Sequence, residues 1–174
     1  YLPPGTGIEL LAGPVGQLDG AEALLTASTA GFAATYTRLN DRHAALSLWK
    51  LPTGTLVARR FVTPGAGAMA LSPDGRMLAL AGQLPVNANA TKGPEIALYA
   101  LPDLDPQDPV DLTGPAPVGA LDFSPNGARL AVARAGSAPV VSIWDVERRT
   151  SSARIAGLTD PANALRLGPD GQIL

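Results

Sequence analysis

The feature that most constrains the fold is an internal repeat. Residues 67–82 read GAMALSPDGRMLALAG, residues 119–134 read GALDFSPNGARLAVAR, and residues 163–174 read NALRLGPDGQIL. The three stretches align without gaps. Their shared columns hold Pro73, Pro125 and Pro169, then Asp74, Asn126 and Asp170, then Gly75, Gly127 and Gly171. Such self-similarity predicts a chain built from one repeated unit of structure.

Each Pro-Asp-Gly or Pro-Asn-Gly triplet predicts a tight turn. Proline presets φ, aspartate or asparagine accepts the turn geometry, and glycine takes the positive φ. Apolar residues alternate on both sides of the triplet, with Met69 and Leu71 before it and Leu78 and Leu80 after it. This pattern predicts a β-hairpin in each unit. In the first unit a degenerate version occupies residues 26–31.

A second repeated phrase follows each hairpin. Residues 45–51 read ALSLWKL, residues 95–101 read EIALYAL, and residues 140–146 read VVSIWDV, which aligns Trp49, Tyr99 and Trp144. Apolar side chains occupy both faces of this phrase, as in a strand enclosed between two sheets. We therefore expect the three aromatic residues to anchor the packing between neighbouring sheets.

A third, weaker apolar run precedes each hairpin, so the order within a unit is strand, hairpin, strand. The units span about 7–51, 55–101 and 108–146, and a partial unit covers 151–174. Residues 83–94 and 102–110 are interpreted as irregular insertions.

Four-stranded units of about 40–50 residues are typical of a β-propeller. The phrase LDFSPNGARLAVA (121–133), followed by VSIWDV (141–146), resembles the WD40 repeat family, and the resemblance extends over nearly the whole chain from residue 7. Ser-Pro-Asp-Gly alone also resembles the propeller repeats of TolB-like proteins. The implied fold is all-β, a β-propeller segment of antiparallel four-stranded WD40-like blades of a divergent, bacterial kind.

The chain departs from the family pattern at two points. The family's Gly-His pair is absent, and the Trp-Asp pair survives only as Trp144-Asp145. The hydrogen-bond network of Asp, His, Ser/Thr and Trp that the family uses is therefore not expected in any unit. Apolar packing alone is expected to hold the blades together.

The number of units predicts a fragment. Three units and the start of a fourth do not close a ring of about six to eight blades, the number that the resemblance implies. The first residue is Tyr1 rather than methionine. We expect an excised piece, with the remainder of its own propeller beyond Leu174.

Composition excludes several classes of function. With no Cys and one His, disulfides, thiolate zinc sites and cysteine nucleophiles are ruled out, and no cofactor or metal is expected. A net charge of −2 gives no electrostatic reason to propose nucleic acid as a partner. No apolar run is long enough to span a membrane, so we expect no membrane insertion and a cytoplasmic location.

Four groups of residues could carry chemistry; for three of them a structural role is the preferred interpretation, and the fourth, a glycosylation sequon, is of a kind that occurs by chance in a chain of this length. His43 could act with Asp41 as an acid/base pair, or be a solvated loop histidine. Ser28 and Ser72 could be nucleophiles, or turn hydroxyls bonded to nearby backbone. Asn89 matches a glycosylation sequon. An acidic run could bind calcium but lacks the Gly and Glu of an EF-hand, which leaves a solvated connector; it contains Asp103, Asp105, Asp108 and Asp111.

The preferred function is a non-catalytic scaffold that presents propeller loops to a protein partner. Arg148 and Arg149 are placed in a connection between units, a position that the resemblance implies commonly meets partners. Two alternatives remain open. One is a propeller enzyme, hydrolase- or lyase-like, with its site in the central channel. The other is a sensor or regulatory domain attached to a bacterial kinase or nucleotidase.

Overall fold

Three antiparallel sheets of four strands make up the architecture. The structure, a computed structural model, describes residues 22–29, 31–62, 64–82, 95–110, 117–136, 139–160 and 165–168, and these contain no helix. Sheet 1 contains β1 (Glu22–Ser28), β2 (Phe32–Arg38), β3 (Ala44–Lys50) and β4 (Thr55–Val62). Sheet 2 contains β5 (Ala66–Leu71), β6 (Met77–Gly82), β7 (Glu95–Ala100) and β8 (Asp105–Val110). Sheet 3 contains β9 (Val118–Phe123), β10 (Arg129–Arg134), β11 (Val140–Asp145) and β12 (Thr150–Ile155).

The strands of every sheet follow chain order, each antiparallel to the one before. The first strands of consecutive sheets lie side by side, with β5 between β1 and β9. The approach is close enough that a Cβ on Gly67 would lie 3.1 Å from the Val118 carbonyl oxygen. The sheets therefore converge on their first strands, and their fourth strands are outermost.

The sheets do not coincide with the units expected from the sequence. The strand that was expected to open the second unit is instead the last strand of sheet 1. Thr55–Val62 was expected to open the second unit but pairs with β3 and completes sheet 1. The interpretation of 102–110 as an irregular insertion was wrong, because residues 105–110 form β8. Two prolines obscured that strand in the sequence. They are tolerated because β8 is an edge strand, where a missing N–H interrupts no ladder on the open side.

The packing between sheets follows one rule. We call the side of a sheet that faces the next sheet its front face, and the opposite side its back face. Small and branched residues on the front of one sheet contact an aromatic and its neighbours on the back of the next. The first contact joins Leu46 and Leu48 of sheet 1 to Leu78, Leu80 and Tyr99 of sheet 2. The second joins Ala79, Ala81, Ile96 and Leu98 of sheet 2 to Leu130, Val132 and Trp144 of sheet 3.

The three aligned aromatics differ in burial. Tyr99 and Trp144 are 6% and 8% exposed, whereas Trp49 is only half-buried. Burial against sheet 1 raises the pKa of the Tyr99 hydroxyl, and the Arg60 charge opposes that shift. The difference follows from position, because Tyr99 and Trp144 lie against a preceding sheet and Trp49 lies on the back of the first sheet described.

One hydrogen bond corrects the expectation that only apolar packing holds the blades. In sheet 1 the Trp49 indole Nε1–H donates to the Thr35 hydroxyl at 3.0 Å. Thr35 lies two residues beyond Ala33, the cross-strand partner of Trp49. In sheet 3, Leu130 is the partner of Trp144, so Val132 occupies the position of Thr35. Val132 has no acceptor, and within the described residues the buried Trp144 Nε1 has no hydrogen-bond partner.

This difference predicts the effect of exchanging the two residues. We expect Val132→Thr to raise the free energy of unfolding by about 1 kcal/mol, since its hydroxyl can accept from Trp144. The reciprocal change, Thr35→Val, is expected to lower it by a similar amount by leaving Trp49 Nε1 without that acceptor. Urea unfolding followed by fluorescence measures both. Changes of the same sign would show that the hydroxyl–indole bond is not responsible.

A fourth unit begins after sheet 3. Leu165 and Leu167 are buried against Ala131, Val141 and Ile143 on the front face of sheet 3. The Leu167 backbone N–H donates to the Asp122 carboxylate at 2.7 Å. This segment therefore lies against sheet 3 in the same way that β5 lies against sheet 1 and β9 lies against sheet 2.

Candidate interaction surface

Six turns lie together at one end of the sheets. Three are the hairpin turns, and three are the turns between the third and fourth strands at 51–54, 101–104 and 146–149. One backbone hydrogen bond of 2.9–3.0 Å joins the two kinds in each sheet, from the N–H of Leu51, Leu101 and Val146 to the carbonyl of Gly31, Arg76 and Ala128. We call this region the turn end.

The hairpin turns of the second and third units are built alike. Gly75 and Gly127 have φ of 69° and 70°, the left-handed conformation that glycine adopts most easily. Both residues donate their N–H to the carbonyl three residues earlier, of Ser72 and Ser124, at 2.9 and 2.8 Å. The predicted turns at 73–75 and 125–127 are thus present, and the third, at 169–171, lies outside the described residues.

A buried serine organises each turn: Ser72, which was expected to be a turn hydroxyl, and Ser124, which sequence reasoning did not single out. The Ser72 hydroxyl donates to the Asp74 carboxylate at 2.6 Å and accepts from the Met77 N–H at 2.9 Å. Ser124 bonds to Asn126 and the Arg129 N–H in the same way, at 2.7 and 2.9 Å. Its signal was available in the alignment, since serine precedes the proline in both repeats. These bonds are of the kind expected for a turn hydroxyl, the structural alternative preferred for Ser72.

The Asp74 carboxylate is held in its charged form. The hydrogen bond from Ser72, followed by that from the Arg76 backbone, lowers its pKa below the usual value, although partial burial opposes this. Because this pKa is lower in the folded state, the carboxylate stabilises the fold at pH values above its unfolded-state pKa of about 3.9. The stabilisation is lost as the pH falls from that value through the folded-state pKa. Asn126 makes the equivalent bonds without a charge.

The turn network gives a matched pair of predictions. Ser72→Ala is expected to lower the free energy of unfolding by about 1–3 kcal/mol, because Met77 N–H loses its acceptor and Asp74 its donor. Asp74→Asn copies Asn126 and is expected to change it by less than about 1 kcal/mol at neutral pH. Below pH 4 the Asn variant should lose less stability than the parent chain. Chemical unfolding at pH 7 and pH 3 tests both, and a Ser72 variant as stable as the parent would contradict the role of the hydroxyl.

Consecutive turns contact one another along the turn end. The Thr29 hydroxyl of the first hairpin donates to the Pro73 carbonyl of the second at 3.0 Å. A Cβ on Gly127 would lie 3.3 Å from the Asp74 carboxylate oxygen, so the second and third hairpins are also adjacent. The turns therefore form one continuous row across three sheets.

Arg148 and Arg149 lie at the turn end, which corrects their predicted position. They belong to the turn between β11 and β12 of one sheet, not to a connection between sheets. Arg148 is paired with Asp145 at 3.0 Å, and its side chain is still 76% exposed. The backbone and side-chain bonds from Arg148 lower the pKa of Asp145. Arg149 reaches across to Asp108 on the outer strand of sheet 2.

Among the described residues, no hydrogen bond or ion pair joins the candidates for chemistry to one another. Asp41 pairs with Arg38, while the loop at His43 is closed by Asn40, whose side-chain oxygen accepts from the His43 N–H at 2.9 Å. In the acidic run, Asp103, Asp105 and Asp108 are exposed, and within the described part of the chain no three His, Cys, Asp or Glu side chains group as a metal site would require. Asp111 and Asn89 lie outside the described residues, and Ser28 lies at the end of β1.

The comparisons with known proteins bear on the fold alone. No family model and no curated protein matches the chain. A solved structure that it resembles is the β-propeller domain of the Trilobed protease from Pyrococcus furiosus, described as having an open velcro topology. The TM-score is 0.61 at 18% identity, over 79% of this chain and 43% of that one. The fold is a β-propeller. The chain spans less than half the length of the propeller structure that it matches.

Among the residues that the structure describes, no helix is long and apolar enough to cross a membrane.

Proposed function

We propose that the chain is part of a divergent, WD40-like bacterial propeller that acts as a non-catalytic scaffold and binds a protein partner through its turn end. The observation that carries the proposal is the continuous row of turns. Bonds between turns and within them hold this surface in place, so its exposed side chains are presented without a large cost in conformational entropy. Its exposed residues include Asp74, Arg76, Asn126, Glu147, Arg148 and Arg149.

The charge arrangement supports a polar partner surface. The side chains of Arg76 and Arg148 are 83% and 76% exposed, although each is paired with an aspartate of the same turn. The Arg148 pair, at 3.0 Å, orients its guanidinium group, whereas the Arg76 pair is longer, at 3.9 Å, and both groups keep donors for a partner. Arginine is enriched at interfaces because its planar group forms several directed bonds.

A site-specific photo-crosslinking experiment tests the proposal. A photoreactive amino acid replaces Glu147, an exposed residue of the β11–β12 turn, and the chain is exposed to lysate of its source organism. Captured proteins are identified by mass spectrometry, purified, and titrated against the unmodified chain. We expect one protein to crosslink, and we expect Arg148→Ala with Arg149→Ala to weaken its binding by about tenfold, or 1.4 kcal/mol.

The matched control uses the opposite end of the sheets. The same photoreactive residue at Arg42, an exposed position in the β2–β3 loop, should not capture that protein, and Arg42→Ala should not change its affinity. Equal capture from both positions, or binding unaffected by the paired arginine change, would place the partner elsewhere. Turnover of the captured protein by the chain would instead favour an enzyme.

A further inference from the structure

The fourth residue of each turn between the third and fourth strands has the same backbone conformation. Gly54, Leu104 and Arg149 occupy this place in sheets 1, 2 and 3, with φ of 66°, 57° and 56°. Leucine and arginine adopt a left-handed φ only at a cost that glycine does not bear. Such a cost persists where surrounding contacts hold the residue in place. The side chains of Leu104 and Arg149 show where those contacts are made.

Both side chains contact the preceding sheet. Leu104 is completely buried in the apolar cluster that it shares with sheet 1, and Arg60 of β4 bonds to its carbonyl. Arg149 extends instead to the outer strand of sheet 2, where its guanidinium Nη1 donates to the Asp108 carboxylate at 2.5 Å. Gly54 lies in the first described sheet, and a Cβ there would meet open space. The same position of the repeat therefore joins sheet 2 to sheet 1 by apolar packing, and sheet 3 to sheet 2 by an ion pair.

The other polar bonds of the third turn stay within sheet 3. Arg148 donates from its backbone and its side chain to the Asp145 carboxylate, at 2.8 and 3.0 Å. The Val146 N–H donates to the Ala128 carbonyl at 3.0 Å. These bonds shape the turn but do not fasten it to its neighbour. Among the described residues, the hydrogen bond and ion pair from this turn to sheet 2 is that of Arg149.

An ion pair at this position depends on the solvent, whereas a buried leucine does not. The side chains of Arg149 and Asp108 are 45% and 84% exposed, so dissolved ions reach both charges and screen their attraction. An exposed pair changes an opening equilibrium by only about two- to fivefold. An effect of this size is small for global unfolding but measurable in the local opening of a turn.

We propose that Arg149 is a positioning residue of the turn end, and that its ion pair with Asp108 is a salt-dependent latch between the β11–β12 turn and sheet 2. The latch holds in place the turn that carries the exposed Glu147 and Arg148. The equivalent turn of sheet 2 is held by the buried Leu104 instead. The latch acts within this chain, so it is independent of the scaffold function and is tested without a partner.

Hydrogen exchange followed by NMR tests the latch in the 174-residue chain. The Arg149 N–H donates to the Asp145 carbonyl at 2.9 Å, and the equivalent Gly54 N–H donates to the Lys50 carbonyl at 2.8 Å. Raising the salt from about 0.01 M to about 1 M shortens the Debye length from about 30 Å to about 3 Å. We expect the protection factor at Arg149 to fall about two- to fivefold relative to that at Gly54. Asp108→Ala, which leaves residue 149 unchanged, should show the lower protection at both salt concentrations.

Exchanging the two charges gives the decisive result. Asp108→Arg and Arg149→Asp each place like charges opposite one another, and the two together restore an attractive pair in the reverse direction. The double variant should be protected at residue 149 about two- to fivefold better than Arg149→Asp alone, which carries the same residue there. Arg154→Asp reverses an exposed charge on β12 and should leave protection at Arg149 unchanged.

All these positions are exposed, so the fold should tolerate the changes, and thermal unfolding checks this. Protection at Arg149 that follows Gly54 at every salt concentration would overturn the proposal. A double variant no better protected than Arg149→Asp would also overturn it, because a role that is structural but not ionic is not rescued by reversing both charges.

Discussion

Replacing Trp144 by alanine is expected to lower the free energy of unfolding by about 3–5 kcal/mol, the usual cost of removing a large aromatic from a core. Trp144 is 8% exposed and packs in the cluster between sheets 2 and 3 with Leu98, Leu130 and Val132. Its loss leaves a cavity that the neighbouring side chains fill only in part. Equilibrium unfolding in urea measures the change.

Trp49→Ala is the matched control because Trp49 occupies the same position of the repeat. It is half-buried and lies on the open back face of sheet 1, so we expect a smaller loss than for Trp144. A loss below about 1 kcal/mol for Trp144→Ala would show that sheets 2 and 3 do not pack through this side chain.

A second large effect is expected at Leu104, in the turn between β7 and β8. Its side chain is completely buried against sheet 1, while its φ of 57° is one that leucine adopts at a cost. The Arg60 guanidinium Nε donates to its carbonyl at 2.9 Å, which joins the outer strand of sheet 1 to this turn. We expect Leu104→Ala to cost about 2–5 kcal/mol, since it empties a filled site.

Glycine at this position should be tolerated better than alanine. Leu104→Gly loses the buried Cβ as well but relieves the left-handed backbone, so it should be more stable than Leu104→Ala by up to about 1 kcal/mol. Gly54, at the equivalent position of sheet 1 with φ of 66° and open space around it, supplies the control. Gly54→Ala should cost about 1 kcal/mol through the backbone alone. Alanine more stable than glycine at 104, by urea unfolding, would contradict a left-handed backbone at that residue.

The repeated hairpins were predictable because their determinants are local. Proline, aspartate or asparagine, and glycine act within the turn itself, and the alternation of apolar residues around them has the period of a strand. The strand phrases around Trp49, Tyr99 and Trp144 were predictable for the same reason. The β-propeller class follows from the repetition of these two elements.

Which four consecutive strands form one sheet was not predictable from those local signals. Whether Thr55–Val62 pairs backwards with β3 or forwards with β5 depends on contacts across the chain, which a repeat pattern leaves open. Strand β8 was missed since Pro106 and Pro109 signal a loop, and only its place at a sheet edge makes them acceptable. The position of Arg148 and Arg149 at the turn end depends in the same way on Thr150–Ile155 pairing back with β11.

The hydrogen bonds that hold the candidate surface were also hidden in the sequence. Thr35 and Trp49 are 14 residues apart and meet through cross-strand register. Thr29 and Pro73 are 44 residues apart and meet only because two sheets stack. Contacts of this kind are consequences of the fold and carry no signature at the level of single residues.

The most direct test of the stacked sheets is a nuclear Overhauser measurement between Phe32 and Gly75. A Cβ on Gly75 would lie 3.4 Å from the Phe32 ring, so one Gly75 α-proton points at that ring from the neighbouring sheet. We expect a cross-peak between the Phe32 ring protons and the Gly75 α-protons, together with the contact of Phe32 and Lys50 within sheet 1. A spectrum with the contact to Lys50 but none to Gly75 would show that sheets 1 and 2 form without stacking at the turn end, and would contradict the propeller arrangement.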